Sequence, residues 1–183
     1  MKVFMIHGAY GGPDENWFPW LKKELVSLGY EVIAPKFPTP TGQTLNNWAE
    51  IFKPYLSEIN EDTIFIGHSL GPAFIMSELE KIDVKIKACF FVSAFIELLG
   101  MEEFDSINRT FVERKFDWDN IKRHCHKFFI YHSNNDPYIP VNCGEMIALE
   151  LSANLDIIEG AGHFNKAAGY TKFERILEDI KKI

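Results

Sequence analysis

Cysteine is scarce, positive charge is outnumbered, and no hydrophobic run is long enough to cross a bilayer. The three cysteines, Cys89, Cys125 and Cys143, are odd in number and far apart. That excludes a disulfide framework and fits a reducing cytoplasm. Lys and Arg number 19 against 26 Asp and Glu, a net charge of −7. A general surface for nucleic acid or anionic membrane is therefore not expected. The first residues, MKVFMIHG, lack the charged leader, apolar block and small-residue cleavage site of a secretory signal. Repeats, low-complexity tracts and Ser/Pro-rich linkers are absent, so the 183 residues are expected to form a single domain. Neither G-x-G-x-x-G nor a Walker sequence occurs, which disfavours a nucleotide, and no cofactor is expected.

What is present is the makings of a real core: 46% hydrophobic residues with 25% charged. Short β-rich runs lie at 2–7, 31–34, 63–67, 88–93, 127–132 and 154–159. They are continuously apolar, as strands covered on both faces are. Helical patterns alternate with them. Trp17, Trp20, Leu21, Leu25 and Leu28 share a face, with Gly29 as a stop. Leu45, Trp48, Ala49, Phe52, Leu56 and Ile59 form a second stripe, which Pro54 should kink. Further helices are predicted over 70–81, 117–125, 141–151 and 170–183. The alternation predicts an α/β fold: three layers, a mostly parallel sheet of about six strands with helices on both faces. In such sheets chemistry sits beyond the carboxyl ends of the strands.

The third strand ends in Gly67-His68-Ser69-Leu70-Gly71, a G-x-S-x-G pattern between a strand and a helix. A sharp strand-to-helix turn would lift Ser69 Oγ into the open, with glycines allowing close backbone approach. Chance yields this pattern roughly 0.03 times in a chain of such composition. The bland alternative is a glycine-rich turn in which Ser69 caps the helix. A serine needs a base, and the base needs an orienting acid. Downstream, Asp136 follows the fifth strand in Ser133-Asn134-Asn135-Asp136-Pro137, and His163 follows the sixth in Gly160-Ala161-Gly162-His163-Phe164. Alone, Asp-Pro is a common turn pair and a glycine-flanked His an ordinary loop residue. Together, in the order Ser, Asp, His at strand ends, they suggest nucleophile, acid and base. Asp156 and Glu159 lack the loop reach, and Asp105, Asp117 and Asp119 come too early in the sheet order. In this reading Asp136 fixes the His163 tautomer, and His163 takes the Ser69 proton and later activates the deacylating water. The oxyanion would be met by Leu70 N–H, at a helix N-terminus, and by a donor from His7-Gly8-Ala9-Tyr10-Gly11-Gly12, with Ala9 preferred and Tyr10 second.

Several pieces in order resemble the small single-domain α/β-hydrolases typified by the retinoblastoma-binding serine hydrolase. They are Trp17-Phe18-Pro19-Trp20-Leu21-Lys22-Lys23-Glu24-Leu25, Ile66-Gly67-His68-Ser69-Leu70-Gly71, Val92-Ser93-Ala94-Phe95, Trp118 with Ile121-Lys122, Asn135-Asp136-Pro137-Tyr138-Ile139-Pro140 and Gly162-His163-Phe164. The resemblance implies a minimal hydrolase core whose first strand runs straight into the oxyanion loop. It implies Ser69, Asp136 and His163 as the triad, and cofactor-free hydrolysis of carboxylic esters or related acyl compounds. The docking motif Leu-x-Cys-x-Glu is absent. Its nearest approach, Val141-Asn142-Cys143-Gly144-Glu145, reads as helical, so pocket-protein binding is not carried over.

His124-Cys125-His126 lacks finger-like partners and is not read as a metal site; Cys125 reads as a small buried residue. His68 reads as turn packing with possible substrate contact, and His7 as support beneath the oxyanion loop. The stretch Glu97–Lys115 lacks clear periodicity and reads as a short cap or a plain surface excursion. Tyr10, Phe95, Tyr138 and Phe164 adjoin catalytic strand ends and are expected to line the pocket. The function expected is a cytoplasmic serine hydrolase, a carboxylesterase acting on a small-molecule acyl substrate, with no protein partner assigned. Thioesterase or peptidase/amidase activity would use the same triad, and a binding module on a hydrolase fold would not need it.

Overall fold

The computed structural model describes residues 1–183. Its six strands are β1 (Lys2–Ile6), β2 (Glu31–Ile33), β3 (Thr63–His68), β4 (Ile86–Val92), β5 (Cys125–Ser133) and β6 (Asn154–Ile158). They form one sheet in the order β2-β1-β3-β4-β5-β6, and every neighbouring pair is parallel. The continuous apolar runs have their predicted cause: all six residues of β3 are buried, because helices cover both faces. Helices α1 (Phe18–Ser27) and α7 (Glu174–Ile180) cover one face. There Trp17, Leu21 and Leu25 meet Phe173, Ile176 and Ile180 over Val3, Ile64 and Phe90. The other face carries α2 (Leu45–Phe52), α3 (Gly71–Leu79), α4 (Glu102–Val112), α5 (Trp118–Arg123) and α6 (Val141–Leu151). Trp48, Phe52, Phe74, Phe111, Ile121 and Ile147 pack there over Phe4, Phe65 and Phe91. This is the expected three-layer α/β architecture. No helix is long and apolar enough to cross a membrane.

Local chemistry sets the helix boundaries. Thr44 Oγ1 accepts from Asn47 N at 3.1 Å and starts α2. Asp117 starts α5 by accepting from Asn120 N at 3.0 Å. The stripe that continues past Phe52 changes to a 3₁₀ helix over Lys53–Glu58, with Pro54 at its beginning; the proline nitrogen cannot donate to the preceding turn. The final helix, Glu174–Ile180, is shorter than the predicted 170–183, and a separate 3₁₀ turn, Lys166–Ala168, precedes it.

Glu97–Lys115 departs from its aperiodic reading, because it contains α4. Its inward face carries Asp105, Asn108, Phe111 and Val112. Phe104, Ile107, Phe111 and Val112 recur at helical spacing, a stripe the aperiodic reading overlooked, and two polar residues share its inward face. Both are tied down: Asp105 Oδ1 accepts from Leu99 N at 2.8 Å, and Asn108 Oδ1 accepts from Gln43 Nε2 at 2.7 Å. Burial of Asp105 is thereby compensated, whereas Asn108 Nδ2 and Gln43 Oε1 stay buried without a partner.

Candidate active site

The site begins at the turn from β3 into α3. Ser69 has φ +60°, a left-handed conformation that costs a non-glycine residue energy. Its N–H is anchored on Val92 O at 2.9 Å, which fixes the turn to the end of β4. Gly71 opens α3 where the chain passes over β1; a Cβ there would lie 2.3 Å from Ile6 O. That contact is impossible for any larger residue, and it explains the second glycine of the motif as a matter of space. Ser69 is left half-buried at the floor of a cleft of about 220 Å³, whose lining includes Gly8, Ala9, Tyr10, Phe104, Tyr138 and His163.

Asp136 and His163 arrive from the ends of β5 and β6. Asp136 Oδ2 accepts from His163 Nδ1 at 2.8 Å, and the Asp136 side chain is completely enclosed. Asp136 Oδ1 accepts from the N–H groups of Tyr138 and Ile139 at 3.0 and 3.1 Å. Burial pushes the Asp136 carboxyl up, but the hydrogen bonds from His163, the Tyr138 N–H and Ser93 outweigh it and hold the group below its ordinary value. With Nδ1 donating, His163 presents Nε2 as an acceptor toward the cleft it shares with Ser69. Ser69 and His163 line the same cleft without a hydrogen bond between their side chains.

The neighbouring histidines are structural. His68 Nε2 lies 2.8 Å from His163 O and bridges the β3 turn to the base. Burial, then the nearby His163 ring, press His68 down to about 3, so it stays neutral and donates to that carbonyl. His7 accepts from Phe37 N on Nε2 at 3.0 Å, which leaves Nδ1 to donate to Gly8 O at 2.8 Å. It props the loop that begins at Gly8 from below.

The N–H groups of Leu70 and Ala9 are engaged by no protein acceptor. The second-choice donor is a different matter. Tyr10 N–H already donates to Thr39 Oγ1 at 2.6 Å, so it is removed from the oxyanion position. Gly8 lies so close to Ser69 that a Cβ would sit 2.6 Å from Ser69 Cβ. Loop and Ser69 are therefore in direct contact.

Of the four predicted pocket residues, Tyr10 and Tyr138 line the cleft. Phe95 and Phe164 do not: both are buried, Phe95 in the core on the α3 side and Phe164 in the core on the α1 side. Phe164, at φ +48°, turns inward to stack on Phe173, and its carbonyl accepts from Trp17 Nε1 at 3.0 Å. Position beside a strand end did not determine side-chain direction. Phe104 of α4 takes the lining place, edge-on to Tyr10 with centroids 5.5 Å apart and 5.8 Å from Tyr138. The Glu97–Lys115 segment therefore acts as a small cap over the cleft. Cys125 is buried, with Sγ donating to Lys127 O at 3.1 Å, while His126 is exposed.

A parallel sheet in this order, with a strained serine at the β3–α3 turn and acid and histidine at successive strand ends, is an α/β-hydrolase fold. The model of the family described as Serine hydrolase matches residues 3–182, and the chain belongs to that family of hydrolases. It is 27% identical over 173 residues to YdeN of Bacillus subtilis, covering 93% of this chain and 89% of YdeN. It is 28% identical over 185 residues to the serine hydrolase RBBP9 of Rattus norvegicus, covering 100% of this chain and 95% of the relative. The crystal structure of the B. subtilis ydeN gene product superposes with a TM-score of 0.92 at 25% identity, covering 99% of this chain and 97% of that one.

Proposed function

We propose that this hydrolase is a carboxylesterase that cleaves small acyl esters through a Ser69 acyl-enzyme, with His163 as base and Asp136 as its orienting acid. The observation that carries the reading is the 2.8 Å Asp136–His163 hydrogen bond beside a left-handed Ser69 in one cleft. His163 Nε2 takes the Ser69 proton as Oγ attacks the acyl carbon. The oxyanion is met by the Leu70 and Ala9 N–H groups, each worth about 2.7–4 kcal/mol of transition-state stabilisation in comparable sites. The resulting imidazolium, held by Asp136, protonates the leaving alcohol. Water activated by His163 then releases the acid and regenerates Ser69.

The cleft, at about 220 Å³, is below the range of roughly 300–1,000 Å³ that holds drug-sized ligands, which favours short acyl groups. Its aromatic wall of Tyr10, Phe104 and Tyr138 supplies apolar contact. All three cysteines are buried and free, which suits the cytoplasmic setting proposed here. The test is labelling of Ser69 by a fluorophosphonate, together with turnover of matched ester, thioester and amide substrates. Ser69→Ala should stay folded, lose the label and drop in turnover by about 10⁴-fold or more. Turnover equal to wild type in that variant would exclude the mechanism. Faster turnover of the thioester or amide would move the activity to those classes with the triad retained.

A further inference from the structure

Ser93, directly after β4, has so far appeared only as one of the groups that hold the Asp136 carboxyl down. Its side chain is completely buried, and its Oγ donates to Asp136 Oδ2 at 2.8 Å. That is the same oxygen that accepts from His163 Nδ1, whereas the Tyr138 and Ile139 N–H groups occupy Oδ1. Ser93 also has φ +47°, a left-handed conformation that a serine does not adopt without cost. The strain is held in place by Ser93 N, which donates to Tyr131 O at 3.0 Å across the β4–β5 pair. A strained, fully buried hydroxyl that faces the acid from a neighbouring strand is placed for an electrostatic task.

We propose that Ser93 is a positioning residue of the triad: its hydroxyl fixes the Asp136 oxygen that faces His163 and drains charge from it, and so sets the pH above which His163 is free to act as base. This rests on the triad reading given above. A carboxylate that already accepts a buried hydroxyl bonds the imidazolium less strongly, because the same lone-pair density is shared. Removal of the hydroxyl leaves more charge on Oδ2. The imidazolium is then held more tightly, and a higher pH is needed to deprotonate it.

Other groups surround the pair. From β3 comes His68, and His7 follows β1; His132 lies on β5, Cys143 and Glu145 on α6, Glu97 follows β4, and Tyr138 stands edge-on to the His163 ring at 5.1 Å. Burial holds His7 and His132 below the ordinary histidine range and raises the Cys143 thiol to about 11. All of these are common to wild type and Ser93 variants, so they cancel in the comparison.

The experiment is the pH profile of kcat and kcat/KM for an ester substrate in wild type, Ser93→Ala and Ser93→Gly, with thermal melts of each. Glycine accepts φ +47° without strain, so Ser93→Gly keeps the backbone where Ser93→Ala does not fold. The acid limb should move up by roughly 0.5–1 pH unit in the variants, with kcat down about tenfold on the plateau and KM little changed. A purely structural serine would alter the melting temperature and leave the limb in place. An active wild type whose limb is unmoved in the folded variants overturns the assignment of Ser93 alone. A wild type without Ser69-dependent turnover overturns the triad and this inference with it.

Discussion

Replacing Gly8 with alanine is the most direct test of the contact between the oxyanion loop and the nucleophile. The added Cβ would lie 2.6 Å from Ser69 Cβ, 3.1 Å from Ser69 Oγ and 3.1 Å from His68 O. Carbon atoms rest about 3.5–4.0 Å apart, so something must move by about 1 Å. Ser69 is anchored by its own N–H on Val92 O at 2.9 Å, and α3 follows immediately. The loop has no regular secondary structure and is held by the His7 Nδ1 bond to Gly8 O at 2.8 Å, a Gly11 N–H bond to the same oxygen at 3.3 Å and, beyond Ala9, the Tyr10 N–H bond to Thr39 Oγ1 at 2.6 Å. The loop should therefore yield and carry Ala9 N–H away from the oxyanion. A shift of about 1 Å costs on the order of 10²-fold, and complete loss of one donor about 10²–10³-fold. We expect kcat/KM to fall by about 10²–10³, with a stability loss of about 1–3 kcal/mol from overpacking. Ester kinetics, fluorophosphonate labelling rates and a denaturant melt measure the three quantities. A folded Gly8→Ala protein within about threefold of wild type in kcat/KM would show that the loop does not stabilise the oxyanion.

Two further outcomes follow from buried polar groups. Tyr131 Oη donates to Asp179 Oδ2 at 2.9 Å beneath α7, and Asp179 keeps Arg175 and Lys182 as partners when that hydroxyl is lost. Tyr131→Phe should therefore cost about 1–2 kcal/mol in urea unfolding without a change in kcat, and a kinetic defect would contradict the separation of this network from the site. His68, pressed down to about 3 by burial and then by His163, binds a proton in the unfolded chain near pH 6.5 but not in the folded one. Its contribution is complete above pH 6.5 and is lost as pH falls toward 3, about 3 kcal/mol of it by pH 4.5. His68→Gln should flatten that decline in denaturant titrations at pH 7 and 4.5, and an equal decline in both proteins would refute it.

The parallel sheet was legible because burial on both faces leaves a direct trace: β3 and β4 are almost uninterrupted apolar runs. Helices with ordinary stripes were legible for the same reason, and α6 falls on its predicted range, Val141–Leu151. Helix α4 carries a stripe too, Phe104, Ile107, Phe111 and Val112, but Asp105 and Asn108 interrupt it on the buried side, where they accept from Leu99 N and Gln43 Nε2. A pattern based on hydrophobicity treats a buried, hydrogen-bonded carboxylate as an exposed one.

The same distinction separates the parts of the site. Ser69, Asp136 and His163 each stand in a short motif at a strand end, where topology alone determines their neighbourhood. Direction is harder to read. Phe95 and Phe164 have positions as favourable as that of Tyr138, yet both turn into the core, Phe164 because a left-handed φ reverses its course. Phe104 reaches the cleft from α4, at one end of an apolar stripe with Ile107 and Phe111. Ser93 was the least legible of all. Its neighbour sequence Val92-Ser93-Ala94 carries no chemical signal, and its significance arises only when β5 lies beside β4 in a register that pairs Val92 with Tyr131. That pairing places the strand end of one βα unit under the acid loop of the next. Linear motifs thus mark the groups proposed to react, while the groups placed to tune them are set by strand adjacency, and it is at such inter-strand seams that further control of the proposed chemistry is to be sought.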